Sequence, residues 1–113
     1  MSVLKDRERA LEELYYLDEE KKFKATVRAV EYFGGYISRL LVLSPGATQT
    51  LVERYAKCHF ESGSIDDVIA LGQADLDASE VDASPLLLKK EYEALFREAL
   101  GKFKEGEEKS GVP

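Results

Sequence analysis

The chain contains one cysteine and one histidine, and neither tryptophan nor asparagine. A lone Cys58 forms no internal disulfide, which fits a reducing compartment. Cys58 and His59 are also the whole supply of thiol and imidazole. Adjacent residues on a helix point about 100° apart, so these two do not converge on a nucleophilic site. No CxxC or HxxxH spacing offers ligands to zinc. A di-metal bundle needs Glu-x-x-His on two helices, whereas His59 follows Ala56 at that spacing. Cys58 therefore reads as a core thiol beside a boundary histidine. Neither GxxxxGK[ST] nor GxGxxG occurs, so the common phosphate cradles are missing too. These gaps predict a protein that is not an enzyme and carries no metal and no resident cofactor.

Long apolar runs are absent as well. None approaches the ~20 consecutive apolar residues that a bilayer span requires. Residues 1–9 mix charges of both signs, which does not read as a signal peptide. A cytoplasmic location without direct membrane insertion is the expectation. Acidic residues outnumber basic ones by 22 to 16, giving a net charge of −6, so no nucleic-acid partner is expected. Lys21, Lys22, Lys24 and Arg28 form a basic stretch inside this acidic background.

What remains is helical in character. At 113 residues and 44% hydrophobic content, the chain suits one domain with a modest core. Strand-like alternation is nearly missing, and the three prolines stand where helices start or the chain ends. The pattern predicts an all-α protein: a compact four-helix bundle with a flexible, helix-prone N-terminal arm. The divisions are an arm over residues 1–20, a bundle over 21–104 and a disordered tail over 105–113.

In the arm, Leu4, Leu11, Leu14 and Tyr15 share one narrow stripe, and charged residues fill most of the remaining circumference. Such a helix is marginal alone and needs a surface to lie on. From Lys21 a broader face appears, with Phe23, Val27, Val30, Ile37 and Leu41, and Leu40 and Leu43 beside it. Gly34-Gly35 interrupts it at a propensity cost of about 1 kcal/mol per glycine, which points to a close helix approach or a kink. Ser44-Pro45 and Ser84-Pro85 each place a serine cap before a proline at the first helical position. Between them, Leu51, Tyr55 and Cys58 mark one inward stripe, and Ile65, Val68, Ile69 and Leu76 another, with Gly72 permitting close packing. Ser64 to Asp67 resembles a capping box with Asp in place of Glu. The last helix carries Leu88, Tyr92, Leu95, Ala99 and Phe103 to an end near Phe103. Acidic clusters such as Asp75, Asp77, Glu80 and Asp82 read as solvated faces, and Glu20–Lys24 as an intrahelical pair.

The run Asp6-Arg7-Glu8-Arg9-Ala10, followed by Asp18-Glu19-Glu20 and Phe23-Lys24-Ala25, resembles the zeta-type inhibitor subunit of the α-proteobacterial F-type ATP synthase. Arg28, Gly34 and Tyr36, then Phe60-Glu61, Asp67-Val68 and Ala74-Asp75-Leu76, continue the likeness over about residues 4–101. Two departures stand out: Tyr15-Tyr16-Leu17 where the family more often has a smaller residue and a histidine, and Tyr36 where tryptophan is common. The resemblance implies a bundle whose N-terminal region inserts as a helix into the catalytic head and blocks rotation in the hydrolytic direction. The partner is then the head, with its alpha, beta and gamma subunits, and the chain is a monomer when free, peripheral to the inner membrane through the ATP synthase. Leu4, Arg7, Leu11, Leu14, Tyr15 and Asp18 are the candidate partner contacts. Weak ADP or ATP binding by the bundle is also implied. Two other readings stay open. One is a nucleotide sensor that binds near Lys21, Lys24 and Arg28 with the arm as a lid; the other is a structural adaptor whose arm packs on its own core.

Overall fold

A computed structural model describes residues 19–110, with side chains as far as Lys102. Four helices follow in order: α1 (Glu19–Leu41), α2 (Pro45–Ser62), α3 (Ile65–Ala78) and α4 (Pro85–Ser110). No strand occurs among the described residues, and the fold is the all-α bundle that the periodicity predicts. α1 is the axis: it packs on α2, α3 and α4, while α3 bridges α2 to α4.

Local chemistry sets the helix ends. Ser44 sits in extended conformation, and its side chain accepts the Ala47 N–H at 3.2 Å, with Pro45 at the first helical position. Ser84 repeats the device on α4, accepting the Leu87 N–H at 3.1 Å. The capping box expected at Ser64 does not form, because the Ser64 side chain makes no cap hydrogen bond. The reciprocal bond of a capping box needs the backbone N–H of the cap residue. Here that Ser64 N–H already donates to Ser62 Oγ at 3.1 Å. Two helices end on left-handed residues that are not glycine: Val42 at φ 55° after α1 and Glu80 at φ 58° after α3. Each is followed by a wide-ring bond, Leu43 N–H to Ser38 O at 3.1 Å and Val81 N–H to Leu76 O at 2.9 Å. α4 runs on to Ser110, past the end near Phe103 marked by its apolar stripe, through Lys104, Glu105, Glu107 and Glu108, all good helix formers.

The core gathers around Phe33. Its ring lies 6.1 Å from Tyr55, 6.2 Å from Tyr92 and 6.4 Å from Tyr36, so one aromatic of α1 ties α2 to α4. Gly72 on α3 makes room for it: a Cβ there would stand 2.9 Å from Phe33 Cε2. Val30, Ile37, Leu51, Val68, Ile69, Leu76 and Leu88 complete the buried set with small alanines.

The buried face of α1 is not the one its bulkiest residues mark. Val30 and Ile37 are buried, but Phe23 is 55% exposed and Leu40 38% exposed. Ala25, Ala29 and Phe33 fill their place. The reason is α4, the most extensive neighbour of α1. Ala25 and Ala29 on α1 and Ala99 on α4 are fully buried, and small side chains permit close backbone approach. The core therefore starts at Ala25 and not at Phe23.

Candidate partner-binding surface

Leu4, Arg7, Leu11, Leu14, Tyr15 and Asp18 all lie outside the described residues. The structure shows where they attach. α1 opens with Glu19 and Glu20 in its first turn, where carboxylates face the positive end of the helix dipole. Lys24 pairs with Glu20 at 3.5 Å, one turn apart. Lys21, Lys24 and Arg28 follow at spacings of three and four, which gathers them on one arc of α1 away from its buried residues. Lys24 and Arg28 are exposed and Lys21 is half-exposed. All three come from a single helix.

A seam between α1 and α2 runs from this end of the bundle toward the Ser44 turn. Phe23 meets His59 there, with ring centroids 6.4 Å apart. Farther along, Gly34 abuts α2 so closely that a Cβ would stand 2.9 Å from Val52 Cγ2 and 3.2 Å from Val52 Cα. Gly35 faces open space, so only the first glycine of the pair serves a close approach. Beyond it the Ser38 and Thr48 hydroxyls hydrogen-bond across the seam, and Thr48 also donates to Ser44 O at 2.8 Å. Beside this contact an open groove of about 660 Å³ has Leu43, Pro45, Val52 and Ala56 along it, with Glu31 and Glu53 among its polar residues. Phe60, one turn past Ala56, is 83% exposed.

A second polar cross-link joins α2 to α3. The fully buried Tyr55 donates its hydroxyl to Asp75 Oδ2 at 2.6 Å, and Arg54 pairs with the same oxygen. Burial and this hydrogen bond push the Tyr55 phenol well above the ordinary tyrosine range, and the Asp75 hydrogen bond raises Arg54. Burial pushes the Tyr92 phenol up to about 12. These tyrosines stay protonated throughout the physiological range and act as struts. Asp75, which the sequence presents as one of a solvated acidic cluster, is in fact the anchor of this link. Its partner stands 20 residues away, a separation that carries no local signal. Cys58 is half-buried against the core and His59 half-buried beside it. Among the described residues no group of three His, Cys, Asp or Glu side chains could hold a metal ion.

The surface thus joins a tightly cross-linked scaffold to one end that carries basic residues, exposed Phe23 and the root of the arm. No curated protein and no solved structure matches the chain. The family described as ATPase inhibitor subunit zeta matches residues 1–102, which takes in the arm, α1 to α3 and most of α4. The chain belongs to the ATPase inhibitor subunit zeta family.

Proposed function

We propose that this inhibitor of the ATP synthase works through its arm. Residues 1–20 enter the catalytic head of alpha, beta and gamma subunits as a helix and block rotation in the direction of ATP hydrolysis. The bundle stays outside as an anchor and a steric stop. The observation that carries this reading is the continuity of the family match, which starts at residue 1 and runs through the bundle to residue 102. α1 supports it: its described residues run from Glu19, within the last two residues of the arm, and its own core starts only at Ala25. The arm's stripe of Leu4, Leu11, Leu14 and Tyr15 then has the head to bury against, with Arg7 and Asp18 as polar contacts. Fully burying each leucine contributes ~1.5–3 kcal/mol, which offsets the entropy cost of ordering the arm.

The protein acts as a peripheral component, held at the inner membrane through the ATP synthase. No helix among the described residues is long and apolar enough to cross a membrane. Weak ADP or ATP binding at Lys21, Lys24 and Arg28 is a second proposal, favoured by three cationic side chains on one arc next to the arm's root.

Affinity capture from membranes carrying the matching ATP synthase tests the first reading. Full-length protein is expected to retain alpha, beta and gamma subunits, and protein lacking residues 1–19 to lose them. Equal capture by both forms would place the binding energy in the bundle and refute the role given to the arm.

A further inference from the structure

The walls of the α1–α2 groove are already fixed. Gly34 against Val52 and the Ser38–Thr48 hydroxyl bond hold the two helices together beside it. We propose that this groove is the bundle's own docking site on the ATP synthase. Its occupant is a helix of the catalytic head that carries a basic side chain within an apolar stripe. The inference rests on the reading that the arm enters that head, since the arm then holds the bundle against it.

Shape limits the occupant. The α2 side of the groove runs from Pro45 to Ala56, about 16 Å at 1.5 Å per residue, which matches three turns of helix. A seam between two packed helices accepts a third by seating its side-chain ridge between them. Leu43, Pro45, Val52 and Ala56 give the apolar floor. Phe60, 83% exposed one turn past Ala56, and Phe23, 55% exposed on α1, extend it toward the Glu19 end of the bundle. Large apolar side chains left in water along one strip mark a surface that is covered in a complex.

Charge selects the partner. The groove lining holds two carboxylates, Glu31 from α1 and Glu53 from α2, and no basic side chain. Both are exposed. Among the described residues Glu31 forms no ion pair, and Glu53 accepts a hydrogen bond from Gln49 at 3.3 Å. Two carboxylates on opposite walls over an apolar floor suit one Lys or Arg whose neighbours a turn away are apolar. A second copy of this chain fits poorly. Symmetric pairing of groove on groove sets these carboxylates against their own copies, in a chain of net charge −6. The smaller groove between α3 and α4 has no such bias, because Asp66 and Asp77 share it with Lys89.

The test uses the full chain and the purified catalytic head of the matching ATP synthase. Benzoylphenylalanine in place of Gln49 should crosslink to a head subunit on irradiation. The labelled peptide should carry a Lys or Arg between apolar residues at helical spacing. The same probe in place of Glu93, exposed on α4, which does not touch α2, should label no head subunit. Glu31→Lys with Glu53→Lys should weaken binding to the head roughly tenfold at low salt and less at high salt, with helix content unchanged. Changing the crosslinked basic residue of the head to Glu should restore much of that loss. No labelling from Gln49, equal labelling from Glu93, or undiminished binding by the reversed protein overturns the inference. Labelling of only a second copy of the chain overturns it as well. None of these results touches inhibition by the arm, which is read separately as ATP hydrolysis with and without residues 1–19. A truncated protein that still inhibits fully, with the Gln49 crosslink and the tenfold loss both present, upholds the groove and removes the proposed function instead.

Discussion

Gly34 and Gly35 are neighbours in sequence and should respond oppositely to the same change. Each glycine inside a helix costs about 1 kcal/mol relative to alanine, so Gly→Ala at either position starts with that gain. At Gly35 nothing lies within 4 Å of the new Cβ, and the gain is kept. At Gly34 the Cβ meets Val52 Cγ2 at 2.9 Å and Val52 Cα at 3.2 Å. A β-branched side chain has little rotamer freedom in a helix, and the Cα moves only if α2 moves. Overpacking of this kind costs ~1–3 kcal/mol, and α2 is further held by the Ser38–Thr48 hydroxyl bond across the same seam. Gly35→Ala should therefore stabilise the protein by about 0.5–1 kcal/mol, and Gly34→Ala should destabilise it by up to about 2 kcal/mol net. Thermal unfolding followed by circular dichroism resolves this, since 1 kcal/mol moves the midpoint of a domain near this size by about 4–8 °C. A rise in midpoint for both variants would refute the close approach of α1 and α2 at Gly34.

Three further outcomes follow from the helix ends and the buried tyrosines. Val42 holds φ 55° with 88% exposure, a conformation costly for a β-branched residue, so Val42→Gly should stabilise by about 0.5–1 kcal/mol in urea titrations. Tyr55→Phe removes the hydroxyl bound to Asp75 but leaves Arg54 on that carboxylate; chemical denaturation should show a loss of about 1.5 kcal/mol, the low end for a hydrogen bond to a charged group. Tyr92 has its phenol raised from 10.0 to about 12, so its proton is held more tightly in the folded state than in the unfolded state. Its contribution is complete below pH 10 and is lost as pH rises through 12; stability measured across that window should fall, and less steeply in Tyr92→Phe.

Most of the architecture is legible in the sequence, because helix ends and stripes are local signals. Ser44-Pro45 and Ser84-Pro85 mark two helix starts through residues three positions apart, and both caps form. Leu51 and Tyr55 on α2 and Val68, Ile69 and Leu76 on α3 bury as their spacing predicts, Cys58 and Ile65 are only half-buried, and Gly72 packs against Phe33. The errors share a cause. Phe23 and Leu40 look like core by bulk, yet Ala25 and Ala29 are buried in their stead because α4 approaches closely, which no single helix pattern records. Phe33 becomes the centre only once three other helices are in place. Asp75 looks like one more surface acid until Tyr55, from another helix, reaches it. As for the site, the resemblance carried by the first thirty residues led to the family, and the family match agrees over residues 1–102. The contacts assigned to Leu4, Arg7, Leu11, Leu14, Tyr15 and Asp18 lie outside the described residues, while Lys21, Lys24 and Arg28 do share one arc.

The central claim is that the arm delivers inhibition and the bundle does not. Steady-state ATP hydrolysis by the matching catalytic head, titrated with full-length protein, protein lacking residues 1–19 and Leu11→Asp, tests it most directly. Truncation removes only α1's first residue from the described helices and leaves the core from Ala25 onward untouched, so the bundle should remain folded. Inhibition is expected from the full-length chain, none from the truncated one, and little from Leu11→Asp, where ~1.5–3 kcal/mol of apolar burial is lost and an unpaired charge adds its desolvation cost. Equal inhibition by all three proteins would contradict it.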